Sequence, residues 1–276
     1  MANSQVYQQF KEDLYISYSQ VFVYLTCSLK YKFMYVEKRP HERLSVALPF
    51  GSAIHKGMER YYRSLKENGS IEPLNVLEEI FEERVRLDLE RAEVPVLYKK
   101  EAPDRESLIN MGKALLKAFY ENVNLDGMEI VDVEFPLGAN LYTDTGETTE
   151  FKLIGVIDLL LRNDDGELIV IDNKTAAKAK SQSAVDDDLQ FTAYSYLLAA
   201  NKYVFPTAPV HCRMDVLRKL KKPKVDYHET VRTAEDRKRF AKIANAVLAG
   251  IENRVFIPNK SWFCSDCQFI DACKAW

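Results

Sequence analysis

The sequence predicts a mixed α/β fold, and three observations carry the prediction. Apolar residues at helical spacing dominate residues 1–125, β-branched and leucine-rich runs gather after them, and two of those runs flank a hairpin turn. With 276 residues, 47% of them hydrophobic, the chain can bury a substantial core. The expected organisation is a mainly helical part over 1–125, an α/β core over 126–260 and a cysteine-bearing segment over 261–276, all integrated in one domain.

The first helix is expected over 18–37, a stretch rich in aromatics such as Tyr18, Phe22, Tyr24, Tyr31, Phe33 and Tyr35. Helical core packing explains these more simply than base stacking does. A helix over 51–67 carries Ile54, Met58, Tyr61, Tyr62 and Leu65 on one face and places His55 in its first turn. Helices follow over 73–92, whose acidic run Leu77–Arg84 reads as a solvated face, and over 104–123. A strand over 128–138 holds Glu134 in an apolar run, either as an accessory ligand or as a solvent-facing residue. Strands over 151–162 and 167–173 are joined by Asn163-Asp164-Asp165-Gly166, standard turn chemistry for an antiparallel hairpin. Helices over 183–201 and 233–251 bracket strands over 208–218 and 224–231. In the first of these strands Cys212 reads as a buried small hydrophobe. The basic tip Arg218–Lys224 is either a solvated turn or a phosphate-tracking element.

The hairpin carries the chemistry. Asp158 and Asp172 sit on two apolar strands, where bare carboxylates are costly without a metal or a partner. Lys174, two residues beyond Asp172, projects from the same face. Two carboxylates able to converge on one divalent cation, with an ammonium beside them, are the minimal equipment for metal-assisted phosphodiester hydrolysis.

These residues have company in a fixed order. Gly51-x-x-x-His55, Gly155-x-x-Asp158, Asp172-x-Lys174 and Gln190-x-x-x-Tyr194, the last pair sharing a helix face, together resemble the RecB-type branch of the PD-(D/E)XK nucleases. The resemblance spans the chain from about Ser17 to the C-terminus and departs mildly, with Asp172 where many relatives have Glu. It implies a restriction-endonuclease-like core, a mixed β-sheet flanked by helices. It further implies Mn2+ or Mg2+ held by His55, Asp158 and Asp172 with the backbone carbonyl of Asn173, Lys174 as the catalytic ammonium, and Gln190 and Tyr194 bracing the site or contacting DNA.

Cys264, Cys267 and Cys273 form a C-x2-C-x5-C cluster near the C-terminus, and Cys27 is the natural fourth ligand. No signal peptide or membrane-spanning apolar run is evident, so the expected location is cytoplasmic, where thiolates bind metal more often than they form disulfides. Spacing permits a four-cysteine zinc site as well. The arrangement resembles the 4Fe-4S subset of RecB-type nucleases, which includes AddB nuclease domains and the CRISPR-associated nucleases of spacer acquisition. A 4Fe-4S cluster is therefore the favoured occupant, as a structural staple.

A net charge of −3 argues against a generally basic nucleic-acid binder but says nothing of a local groove. The leading expectation is a DNA nuclease acting on ends or single strands, exonuclease favoured over endonuclease. Its partners would come from helicase, recombination or CRISPR adaptation systems. The alternative is a non-catalytic DNA-binding or scaffolding protein that retains the fold.

Overall fold

The computed structural model describes residues 2–143 and 145–276. In chain order the elements are α1 (Ala2–Gln9), β1 (Tyr15–Ser17), α2 (Tyr18–Thr26), α3 (Ser28–Tyr31), β2 (Leu44–Ser45), α4 (Ala47–Asn68), α5 (Leu74–Glu90), β3 (Val96–Leu97) and α6 (Arg105–Asn122). Then come β4 (Met128–Tyr142), β5 (Thr148–Asn163), β6 (Leu168–Ala176), α7 (Gln182–Asp186), α8 (Leu189–Ala200), β7 (Val210–Arg218), β8 (Lys224–Arg232), α9 (Ala234–Glu252) and α10 (Ile270–Lys274). No described helix is long and apolar enough to cross a membrane.

Six strands form one mixed sheet in the order β1-β5-β6-β7-β8, with β4 on the remaining edge of β5. The expected β5–β6 hairpin forms, pairing Leu159 with Ile171 and Leu161 with Ile169. Gly166 supplies the positive φ its turn requires, and its N–H donates to the Asn163 carbonyl at 2.9 Å. β6 then runs parallel to β7, and β7 antiparallel to β8.

Helices cover both faces, because residues alternating along the strands bury in two separate cores. Leu153, Ile157, Leu160 and Val170 pack with Val21 of α2, Phe191 of α8 and Phe240 of α9. Leu159, Leu161 and Ile171 pack with Phe50 and Met58 of α4, Phe81 of α5 and Phe119 of α6. Each fully buried Leu, Ile or Phe contributes about 1.5–3 kcal/mol, so these two layers fix the strands from both sides. The expectation that Cys212 is a small core residue holds: it is buried, and burial pushes its thiol up to about 12.

Two expected helices are each broken. The 18–37 segment stops at Cys27, whose backbone is extended, then resumes as α3 and a π-helical turn over Lys32–Val36. Tertiary partners drive the break: the Leu29 N–H and Ser28 Oγ donate to the Ile257 carbonyl, and Asn259 Nδ2 donates to that of Thr26. The 183–201 segment is interrupted at Asp187 and Asp188, because the Asp188 carboxylate accepts the Gln190 N–H at 2.9 Å and so caps a new helix. Strand β1 and helix α1 are additional elements, too short for periodicity to reveal.

Candidate active site

The site lies where the sheet splits. β4 occupies one edge of β5 along most of its length. On the other edge, β6 pairs with residues 159–162 and β1 with residues 152–154, so the stretch Gly155–Asp158 is left between two departing neighbours. Asp158 spans the opening, its Oδ2 accepting the backbone N–H of Asn173 at 2.9 Å.

A change of face at this point aims the acidic groups. Val133 and Leu159 belong to the α4–α6 core, whereas Phe135 and Ile157, two residues away on each strand, pack in the opposite one. Residues two apart on a regular strand share a face, so both strands rotate between these positions. The rotation centres on Glu134, a non-glycine residue at φ +50° opposite Asp158 in the register. Backbone held in the left-handed region costs about 1–3 kcal/mol and concentrates at functional sites. Helix α4 supplies the third group from above: the Nδ1 of His55 stands 3.5 Å from Asp158 Oδ2. Arg63, two turns on, anchors α4 by donating to the Val133 carbonyl at 3.1 Å. One ligand atom from each of His55, Glu134 and Asp158 lies within 4.8 Å of the others.

Asp172 and Lys174 form the second half. Asp172 is 1% exposed, and Lys174 Nζ donates to its Oδ1 at 3.0 Å and to Gln190 Oε1 at 2.8 Å. Gln190 Nε2 donates in turn to Tyr194 Oη at 2.7 Å, so the helix-face pair read from the sequence is a bracket on the ammonium. Gly155 lets α8 come this close. A Cβ there would stand 2.9 Å from Leu197 Cδ1 and 3.5 Å from Tyr194 Cε1.

The electrostatics are those of crowded acids. Burial, then Asp158 and Glu59, push Glu134 up to about 7 against the opposing pull of His55 and Lys56. Burial pushes Asp172 up to about 6, with Lys174 pulling down and Asp158 adding to the rise. For Lys174, burial works against the charge, but Asp172 and Asp158 outweigh it and hold the ammonium above its ordinary range. The Asp172 Oδ2 lies 2.8 Å from Nζ but outside hydrogen-bonding geometry, and it has no other partner among the described residues. A buried carboxylate oxygen without a hydrogen bond, on a carboxylate that feels the charge of Asp158, fits a nearby divalent cation.

The structure thus assembles His55, Asp158, Asp172, Asn173, Lys174, Gln190 and Tyr194 around one opening, with one change of emphasis. Asp158 gathers with His55 and Glu134, and Asp172 stands outside that trio, engaged by Lys174. The sequence signal for Glu134 was a carboxylate inside an apolar strand; the rotation that aims it was not visible there. Cys27, Cys264, Cys267 and Cys273 lie elsewhere, together lining a cavity of about 70 Å3 with Phe33 and Phe269.

A pH experiment tests the crowding. Folded values above the unfolded ones mean that Glu134 and Asp172 destabilise the metal-free protein fully above about pH 7 and cease to do so below about pH 4. Glu134→Gln is expected to raise Tm at pH 8 by roughly 2–4 °C per kcal/mol relieved, and by less at pH 5. Equal gains at both pH values in thermal melts would exclude titration of Glu134 as the cause.

Comparison with known proteins agrees with this geometry. The sequence matches the family model of the PD-(D/E)XK nuclease superfamily over residues 15–274. None of the curated proteins compared with the chain matches it. Among solved structures, a "Putative exonuclease" from Eubacterium rectale has a TM-score of 0.59 over 100% of this chain and 92% of its own. Its sequence identity is 10%, so the likeness is one of fold. The crystal structure of SSO0001 has a TM-score of 0.34 at 16% identity, covering 90% of this chain and 94% of its own, too low a score to argue from. A family match that runs unbroken from β1 to the last cysteine, on a mixed sheet split at its acidic residues, shows that this chain belongs to the PD-(D/E)XK nuclease superfamily.

Proposed function

We propose that the protein is a metal-dependent DNA nuclease of the RecB-type branch, acting as an exonuclease on ends or single strands. The observation that carries this reading is the convergence of His55, Glu134 and Asp158 within 4.8 Å beside the Asp172–Lys174 pair. His55, Glu134 and Asp158 would hold Mn2+ or Mg2+, with the unsatisfied Asp172 Oδ2 as a further candidate ligand; an imidazole ligand favours Mn2+. The Asn173 carbonyl is a further donor, since its N–H already faces Asp158 and both groups of a strand residue face one edge. When bound, the cation supplies Lewis acidity toward the phosphate oxygens. Lys174 has committed two of its three protons, to Asp172 and Gln190, leaving the third to orient water or to meet charge developing on the phosphate. Gln190, fixed by Tyr194 and by the Asp188 cap, sets the direction of that proton.

A 4Fe-4S cluster bound by Cys27, Cys264, Cys267 and Cys273 is part of the same proposal. The four thiols surround a cavity, whereas ligands of a single zinc ion at about 2.3 Å would crowd together. A cytoplasmic location and work alongside helicase, recombination or CRISPR adaptation proteins complete the reading. The test is digestion of end-labelled single- and double-stranded DNA in Mn2+. The unaltered protein should release short products and Asp158→Asn should not; intact DNA with the unaltered protein would favour the non-catalytic scaffold instead.

A further inference from the structure

A groove of about 900 Å3 opens beside the catalytic strand. Its floor includes Thr175, Ala176 and Ala177, directly after Lys174, and one wall is the first turn of α4, ahead of His55. Lys178 and Lys219 line the same groove, Lys219 coming from the basic turn between β7 and β8. Lys219 Nζ lies 4.2 Å from the Phe50 ring centroid, and no described carboxylate is within ion-pair distance of it. Burial pushes this ammonium down to about 8, Glu101 opposing the fall and Lys99 adding to it. Glu101 and Asp266 also line the groove, but Lys99 takes Asp266 in an ion pair.

Trp262, 76% exposed, lines the same groove. One face of its indole stacks on Phe263, centroids 3.7 Å apart, and the other face is open. Phe263 meets Phe22 of α2 edge-on and lines the cysteine cavity, so the residues around Cys264 hold the indole in place. An open aromatic face can stack an unpaired base but not one locked in a duplex, and every base has a π-face to offer.

We propose that this groove holds the unpaired nucleotides of a single-stranded DNA end, one base stacked on Trp262 and the backbone phosphates met by Lys178 and Lys219. The inference rests on the nuclease reading for its substrate, but its test requires no cleavage. Binding of fluorescein-labelled oligo(dT), and of a blunt hairpin duplex, would be followed by anisotropy without divalent metal. Trp262→Ala is expected to weaken oligo(dT) binding about tenfold, with Trp262→Phe restoring most of it. Lys178→Gln, at an exposed position, should flatten the salt dependence by about 0.7 in log–log slope for one phosphate contact. Duplex binding should change by less than twofold. No oligo(dT) binding by the unaltered chain, unchanged binding in both Trp262→Ala and Lys178→Gln, or an equal loss for duplex would overturn the proposal. Absence of Mn2+-dependent digestion alongside Trp262-dependent binding would overturn the nuclease reading and leave the groove assignment standing.

Discussion

Lys174→Ala is expected to lower Mn2+-dependent DNA cleavage by about 10²–10³-fold, the usual cost of removing one preorganised charge that meets the transition state. The ammonium is fixed from two sides, by Asp172 at 3.0 Å and Gln190 at 2.8 Å, so on the nuclease proposal it would need little reorganisation. Without it, Asp172 keeps a buried carboxyl already pushed up to about 6 and loses the cation that opposes the rise. That carboxyl is then pushed further toward its neutral form, which weakens the negative charge a metal would use. Gln190→Ala should cost less, because it removes direction and leaves the charge. The measurement is the initial rate on end-labelled DNA at saturating Mn2+, together with Tm. A Lys174→Ala protein that melts normally and cleaves within a few-fold of the unaltered rate would remove Lys174 from the chemistry.

The second large effect concerns stability. On the 4Fe-4S proposal, anaerobically purified protein is expected to be brown with a broad visible band, and Cys27→Ser to abolish both and to lower Tm by roughly 10 °C or more. Cys27 and Cys264 stand more than 200 residues apart, and linking points so distant restricts the unfolded chain by about 5–6 kcal/mol on the loop-closure model. Protein–protein contacts make part of the same junction. Glu42 accepts the N–H groups of Asp271 and Ala272 at 2.7 and 2.8 Å, and the Ile257 N–H donates to Ser28 Oγ at 2.8 Å. The C-terminal segment should therefore loosen without detaching. Colourless unaltered protein with stoichiometric zinc would replace the cluster by zinc, and a Cys27→Ser protein with unchanged iron content and Tm would exclude Cys27 as a ligand.

Much of this architecture is legible along the chain. Helical spacing in Ile54, Met58, Tyr61 and Tyr62 marks the buried face of α4, and Asn163–Gly166 marks the β5–β6 turn; the structure has both. Lys174 beside Asp172 and Gln190 beside Tyr194 follow from the periods of strand and helix. These are local regularities, written within a few residues of each other.

What the sequence by itself determined was the α/β class, the hairpin bearing Asp158 and Asp172, and the candidate groups of the site. Tertiary structure decided which of them meet. Glu134 joins His55 and Asp158 because two strands rotate between opposing cores, and Cys27 leaves its helix because residues 257–259 satisfy the backbone groups it frees. Trp262 is held over residues 175–178 of the groove through Phe263, which meets Phe22 of α2. Each depends on partners distant in the chain, whose contacts override the local period, and no spacing within one segment can specify them.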